Sequence, residues 1–260
     1  MHRAAFSVSP KSMNKTILIT GSSRGIGAAT AILAAQKGYR VCVNYRTNQA
    51  AAARVVDLIH CNGGEETAFG ADVSEESEVR AIFQAIDTTY GRLDALVNNA
   101  GILETQMRLE EMDGERMQRI LRSNVMSCFL CCKEAVKRMS AKHGGNGGAI
   151  VNVSSIAART GAPGEYVDYA ASKGAVDALT RGLAQEVAGE GIRVNAVRPA
   201  FIDTEIHASG GEPGRIERIK ESIPMKRGGS PEEVAAAILW LLSDEASYST
   251  GTFIDVTGGR

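Results

Sequence analysis

Short apolar runs alternate along the chain with longer stretches in which apolar residues recur every three to four positions. The first pattern suits buried β-strands and the second suits helices that bury one face. Strands are predicted at 16–20, 40–45, 66–71, 93–98, 149–153, 193–197 and 252–256, and helices at 25–37, 49–61, 75–90, 113–142, 167–188 and 231–243. Alternating β and α segments build βαβ units, whose right-handed crossovers lay helices on both faces of a parallel sheet. The pattern therefore predicts one doubly wound α/β domain over 15–260, with a seven-stranded parallel sheet and an N-terminal extension at 1–14. A ligand crevice is expected at the carboxyl ends of the strands. The least regular stretch, 201–229, carries Gly210, Gly211, Pro213, Gly214 and Pro224 near strand ends, which suits a substrate lid.

Composition narrows the function more than the fold. The 260 residues are 44% apolar and 23% charged, enough to bury a sizeable core. With 29 basic and 30 acidic residues the net charge is -1, which offers no footprint for a nucleic-acid backbone. No apolar run approaches the roughly 18 to 20 residues needed to span a bilayer, and the start lacks a secretory signal, so a soluble, cytoplasmic protein is expected. Five cysteines, scattered through apolar segments, suit a reducing compartment without disulfides. The first residues are basic, Ser-containing and free of acids, as in a transit peptide, while Met13 opens an equally sensible start.

The first strand runs into Gly21-Ser22-Ser23-Arg24-Gly25-Ile26-Gly27, followed at once by a helix. Glycines there allow a tight turn, and the helix N-terminus adds positive dipole, as a dinucleotide pyrophosphate requires. The second strand ends Val43-Asn44-Tyr45-Arg46 and so lacks the acid that NAD-binding proteins set against the ribose hydroxyls. Nothing there repels a 2′-phosphate, and Arg46 with Arg24 can bind one, so NADP(H) is expected over NAD(H).

Tyr169 and Lys173 lie four residues apart in a helical stretch and share one face. A free phenol has a pKa near 10, too high for proton exchange at neutral pH. An ammonium about 4 Å away would lower it by roughly three units, on the order of 4 kcal/mol at an effective dielectric near 20. Tyr166 is a rival phenol, but its fourth neighbour is Ala170, and it is expected to line the substrate pocket.

These motifs, in this order, resemble the short-chain dehydrogenase/reductase family from Lys15 onward. Residues 20–27 match its TGxxxGxG turn, Asp72-Val73 its adenine-contacting pair, and Asn98-Asn99-Ala100-Gly101 its NNAG segment. Asn124, Ser155, Tyr169 and Lys173 match its catalytic tetrad. The resemblance implies a Rossmann-like fold and a hydride exchange between NADP(H) and a small carbonyl or alcohol. It makes Tyr169 the general acid in reduction and the general base in oxidation, with Lys173 lowering its pKa and holding the nicotinamide ribose. Ser155 would bond the substrate oxygen, favoured over Ser154 as the second of the pair. Asn124, within helix 113–142, would anchor a water leading from Lys173. Cofactor contacts are implied for Gly21, Ser23, Arg24, Gly25, Ile26, Gly27, Tyr45, Arg46, Asp72, Val73, Asn98, Ala100, Gly101, Tyr169, Lys173, Pro199, Ile202 and Thr204.

Asp72 has a second reading as a helix-capping charge beside Ser74. Ala200 stands where the family has glycine, and the stretch from Ser155 to Tyr169 is one residue longer than in many relatives. Sugar dehydrogenases and oxoacyl reductases are similar alike, and a homotetramer is implied. The rival from another class is a catalytically silent NADP(H)-binding sensor on the same fold. Cys128, Cys131 and Cys132 share a helical face but lack a second ligand cluster, so they read as buried hydrophobes and no metal is expected. Of His60, His143 and His207, only His207 is placed to touch substrate.

Overall fold

The computed structural model describes residues 15–260, and the expected extension at 1–14 lies outside the described residues. In chain order the elements are β1 (Thr16–Ile19), α1 (Gly25–Gln36), β2 (Arg40–Tyr45), α2 (Gln49–Cys61), β3 (Glu65–Gly70), α3 (Glu76–Tyr90) and β4 (Ala95–Asn98). There follow α4 (Gly114–Leu121), α5 (Ser127–Met139), β5 (Gly148–Val153), α6 (Ala157–Thr160), α7 (Val167–Val187) and β6 (Ile192–Pro199). The chain closes with α8 (Ile206–Ser209), α9 (Arg215–Ile219), α10 (Pro231–Leu242) and β7 (Phe253–Val256). The strands form one seven-stranded sheet in the order β3-β2-β1-β4-β5-β6-β7, and every pairing is parallel.

Alternation along each strand divides the core into two layers. Ile17, Ile19, Val41, Val43 and Val97 pack on one face with Ala31 and Ala34 of α1, Val55 of α2 and Ile238 of α10. Leu18, Cys42, Leu96 and Ile150 pack on the other with Phe83 of α3, Cys131 of α5 and Val176 of α7. Local chemistry sets the helix ends. Asn48 caps α2 by accepting the Ala51 N–H at 2.9 Å, and Ser230 and Glu233 form a reciprocal box at α10 with Pro231 in its first turn.

The expected helix 113–142 is corrected. It is interrupted by a π-helical turn over Arg122–Met126, and α5 stops at Met139 because Ser140 caps a separate short turn through Lys142 N–H. The reason for the interruption lies in Asn124, whose amide bonds both backbone groups of Ile102, at 2.7 Å to its N–H and 3.0 Å to its carbonyl. The extra residue in that turn lets the side chain point inward to a loop that has no other partner for those groups.

Segment 201–229 contains α8 and α9 and is closed at its base by a parallel bridge between Ile202 and Gly229. Arg215 ties it to the start of α7, donating to Glu165 at 2.5 Å and to the Tyr166 hydroxyl at 3.4 Å. Among the described residues no helix is long and apolar enough to cross a membrane.

Candidate active site

β1 and β4 are neighbours although the chain leaves them toward opposite edges of the sheet, which opens a crevice at their carboxyl ends. The turn after β1 forms one wall. Gly21 takes φ +61°, a left-handed value that favours glycine. A Cβ at Gly27 would lie 2.6 Å from the Gly21 carbonyl oxygen and 2.8 Å from Ser22 Cα, so only glycine lets α1 start this close to the turn.

Two asparagines clamp the turn from either side. Asn44 Oδ1 accepts the Gly21 N–H at 3.1 Å while its Nδ2 donates to the carbonyls of Phe69 and Ala71 at 3.2 and 3.1 Å. Asn99 Nδ2 donates to the carbonyls of Thr20 and Gly21 at 2.9 and 3.0 Å. Sequence reasoning assigns neither a role, and the available signal is an amide at the end of an otherwise apolar strand run.

The resulting cleft has a volume of about 380 Å³. Of the positions expected to meet a cofactor, Gly21, Ser23, Arg24, Gly25, Ile26, Tyr45, Arg46, Asp72, Val73, Ala100, Gly101 and Thr204 line it. Arg46 reaches toward Asp72, with 3.7 Å between guanidinium and carboxylate. Asp72 lines the cleft, and its bond to the Ser74 N–H at 2.9 Å lies in the turn before α3, whose start at Glu76 has no side-chain cap, so the capping reading is corrected. Asn98 and Gly27 are absent from the lining. Asn98 lies behind the wall, where its Nδ2 donates to Asn152 Oδ1 at 2.9 Å and joins β4 to β5. Gly27 acts through close packing instead. Backbone amides at a helix start and two arginines are a donor set that fits the phosphates of a dinucleotide.

At its inner end the cleft adjoins a chamber of about 90 Å³, with Ile26, Asn99, Gly101, Thr204 and Ile206 shared between the two linings. Ser155, Tyr169, Lys173, Pro199, Ile202 and His207 line the chamber. Lys173 Nζ donates to the Val153 carbonyl at 2.8 Å and stands 5.6 Å from the Tyr169 ring centroid. The Ser154 hydroxyl donates to Asp177 Oδ1 at 2.7 Å and is thereby committed to the interior. Ser155 Oγ accepts the Ala157 N–H at 3.1 Å, has a long 3.4 Å contact to the Pro199 carbonyl, and hydrogen-bonds the Tyr169 phenol. Asn124 is buried outside the chamber lining, where its Nδ2 also donates to Ser172 Oγ at 3.1 Å. Tyr166, expected in the pocket wall, is buried instead against segment 201–229, donating to the Gly210 carbonyl at 3.3 Å.

Two buried ion pairs hold α7 in place. Asp177 accepts from Arg198 Nη2 at 2.6 Å and Nε at 3.0 Å, linking α7 to β6. Arg116 Nε donates to Asp168 Oδ2 at 2.8 Å, and Asp168 Oδ1 accepts the Tyr169 N–H at 2.8 Å. Both pairs join residues far apart in the chain, which is why no local pattern announces them.

The electrostatics correct one expectation. Burial pushes the Tyr169 phenol up to about 12, opposed by the hydrogen bond from Ser155, where the spacing to Lys173 suggested a fall. Burial also pulls Lys173 down to about 8, with Cys128 and Asp177 opposing. Burial thus penalises the charged form of both groups, because no pairing offsets it: the phenol stays protonated, and the Lys173 ammonium, still the main form at neutral pH, bonds Val153 instead. Lys173 is therefore expected to lose its charge as pH rises through about 8. NMR of ¹³C-methylated lysines in the cofactor-free protein checks this: one midpoint near 8 is expected, and it should vanish in Lys173→Arg. Midpoints clustered only near the ordinary value would contradict it.

Known proteins are similar to this chain over nearly its whole length. Residues 21–260 match the family model described as enoyl-(acyl carrier protein) reductase. The uncharacterized oxidoreductase YgfF of Escherichia coli (strain K12) is 63% identical over 94% of this chain and 98% of that protein. Glucose 1-dehydrogenase 2 of Bacillus subtilis (strain 168) is 38% identical over 94% of each chain. The crystal structure of a 3-ketoacyl-(acyl-carrier-protein) reductase from Brucella melitensis, complexed with NADH, superposes with a TM-score of 0.88 at 34% identity, covering 95% of this chain and 98% of that one. Together with the seven-stranded parallel sheet, these similarities lead to one conclusion: the chain belongs to the short-chain dehydrogenase/reductase family of nicotinamide-dependent oxidoreductases.

Proposed function

We propose that the chain interconverts a small carbonyl compound and its alcohol with NADP(H), using Tyr169 as general acid in reduction and general base in oxidation. The observation that carries this reading is the meeting of Ser155, Tyr169 and Lys173 in one chamber at the inner end of the cleft. The bound nicotinamide supplies or accepts the hydride. Tyr169 Oη donates its proton to the carbonyl oxygen as charge develops there, and Ser155 Oγ donates a hydrogen bond to the same atom. Ser155 can turn to that atom, because its contact to Pro199 is long and its other hydroxyl partner is the Tyr169 phenol at the same end of the chamber. Lys173 would hold the nicotinamide ribose, and its charge, brought beside the phenol, would offset the burial that now keeps the proton on Tyr169. Asn124 acts from outside the chamber by fixing the loop at Ile102, and Pro199, Ile202 and Thr204 close the nicotinamide end. Segment 201–229 serves as the lid over this end.

The Brucella reductase is complexed with NADH, so the shared fold does not choose the cofactor. The choice of NADP(H) rests on Arg24 and Arg46 at the cleft and on the uncharged Asn44-Tyr45 pair where an acid would repel a 2′-phosphate. NADPH is expected to bind about tenfold or more tighter than NADH, the worth of one or two charge-assisted bonds. Arg46→Ala should erase most of that difference, as read from quenching of Trp240 fluorescence. Equal affinities in the native chain would refute the preference. Turnover is tested by nicotinamide absorbance across sugars, ketones and acyl thioesters. A silent panel with tight NADPH binding would favour the sensor. Self-association is supported by Leu121, Met126 and Phe129, which expose apolar surface along α4 and α5 of the kind a further copy of the chain covers.

A further inference from the structure

His207 is the one histidine in the wall of the catalytic chamber. It sits on α8 and is only 8% exposed. Its Nε2 lies 2.9 Å from the Ile202 carbonyl oxygen. A carbonyl only accepts, so Nε2 carries the proton, and in the neutral ring Nδ1 is left as an acceptor. That Nδ1 is buried and has no hydrogen-bond partner. An unsatisfied acceptor of this kind is uncommon in a folded interior and calls for an explanation. Burial lowers the His207 pKa, with Arg215 acting the same way and the Ile202 bond, Asp203 and Glu212 opposing, so the neutral ring is the form present at neutral pH.

We propose, building on the oxidoreductase reading above, that His207 is a specificity-determining residue whose Nδ1 accepts a hydrogen bond from a hydroxyl beside the reacting carbonyl. The chamber then favours α-hydroxy ketones and vicinal diols over simple ketones and acyl thioesters. Three observations converge on this class. The missing partner must be a donor, since a neutral Nδ1 can only accept. The chamber is small, about 90 Å³, so a donor that reaches it lies within a few bonds of the carbon facing Tyr169 and Ser155. Of the other polar side chains in the wall, Ser154 and Asn99 are already bonded to Asp177 and to the turn after β1, while Pro199, Ala200 and Ile202 offer a hydroxyl no side-chain acceptor. Nδ1 is shielded as well as unpartnered, so a substrate hydroxyl meets it when the short helix α8 that carries His207 shifts to admit the substrate.

The test compares 1-hydroxy-2-butanone with 2-butanone, reduced by the full chain with NADPH. The hydroxy ketone is expected to have the higher kcat/KM by about tenfold or more, the effect of one satisfied hydrogen bond. In His207→Phe, which keeps an aromatic ring but no acceptor, that ratio should fall to within about twofold of unity. His207→Gln, able to donate to Ile202 and still present an oxygen, should recover part of it. An unchanged ratio in His207→Phe, or no preference in the native chain, overturns the proposal. A binding arm separates it from the oxidoreductase reading. In ¹⁵N-histidine spectra of the Tyr169→Phe variant with NADPH, 1-hydroxy-2-butanone should shift the His207 Nδ1 resonance and 2-butanone should not. A shift without turnover in the native chain would retain the His207 site and sink the catalytic reading. Turnover with neither the shift nor the preference would do the reverse.

Discussion

Replacing Tyr169 with phenylalanine is expected to lower kcat by about 10² to 10⁴-fold while NADPH affinity stays within about twofold, the range general acid catalysis contributes. The substitution deletes one oxygen from the chamber and leaves its shape. Ser155 loses its bond to the phenol but keeps Ala157 and Pro199, and Lys173 keeps Val153, so both side chains stay anchored in the wall. What disappears is the proton. Because burial pushes the phenol up to about 12, it is protonated throughout the neutral range, the state needed to donate to a carbonyl. Reduction should therefore hold its rate across neutral pH, whereas oxidation, which needs the proton gone, should rise toward alkaline pH. Single-turnover absorbance of bound NADPH checks both statements. Near-native kcat in the variant would remove Tyr169 from the chemistry.

The second large effect falls on stability. Asp177→Ala is expected to cost roughly 3 kcal/mol, because it strands the Arg198 charge in the interior. The Arg198 guanidinium lies 3.9 Å over the Phe253 ring, and its other carboxylate, Asp255, stands 3.5 Å away and is partly exposed. That neighbour recovers some of the loss, which places the estimate at the low end of the roughly 3–5 kcal/mol typical of a broken buried pair. For a chain of this size the Tm should fall by about 6–12 °C, at roughly 2–4 °C per kcal/mol. Asp177→Asn, which still accepts from Ser154 and Arg198, should lose less. Thermal unfolding by circular dichroism measures both, and a shift below about 2 °C for the alanine variant would contradict this account. Activity should fall as well, since Asp177 holds the Ser154 hydroxyl one residue from Ser155.

Parallel topology and the main helices were legible because apolar runs in this chain are short, rich in β-formers and separated by helical periods. The π-helical turn at Arg122–Met126 was not, since an asparagine in a helical stretch carries no mark of where its side chain will bond. In the site, helical spacing was enough to bring Tyr169 and Lys173 to one face. Spacing says nothing of burial, however, and burial reverses the sign expected for the phenol. Ser155 was favoured over Ser154 on family resemblance alone, and the physical reason that separates them, Asp177 of α7 engaging the first, comes from tertiary structure. Arg116 and Asp168 pair across 52 positions, a distance over which local pattern has no reach. The least regular stretch, 201–229, announced itself by its glycines and prolines, but its ties to Glu165 and Tyr166 come from tertiary contacts alone.

The bridge from Ile202 to Gly229 has a bearing on how such a protein can change over time. With both ends stapled together at the rim of the sheet, everything between them forms a closed excursion that can grow, shrink or be exchanged without altering the path of β6 into α10. If that excursion is the substrate lid proposed above, selection can rewrite which molecules are admitted while the chamber lined by Ser155, Tyr169 and Lys173 stays as it is. A graft of residues 203–228 from a relative of different appetite is the natural unit of that exchange.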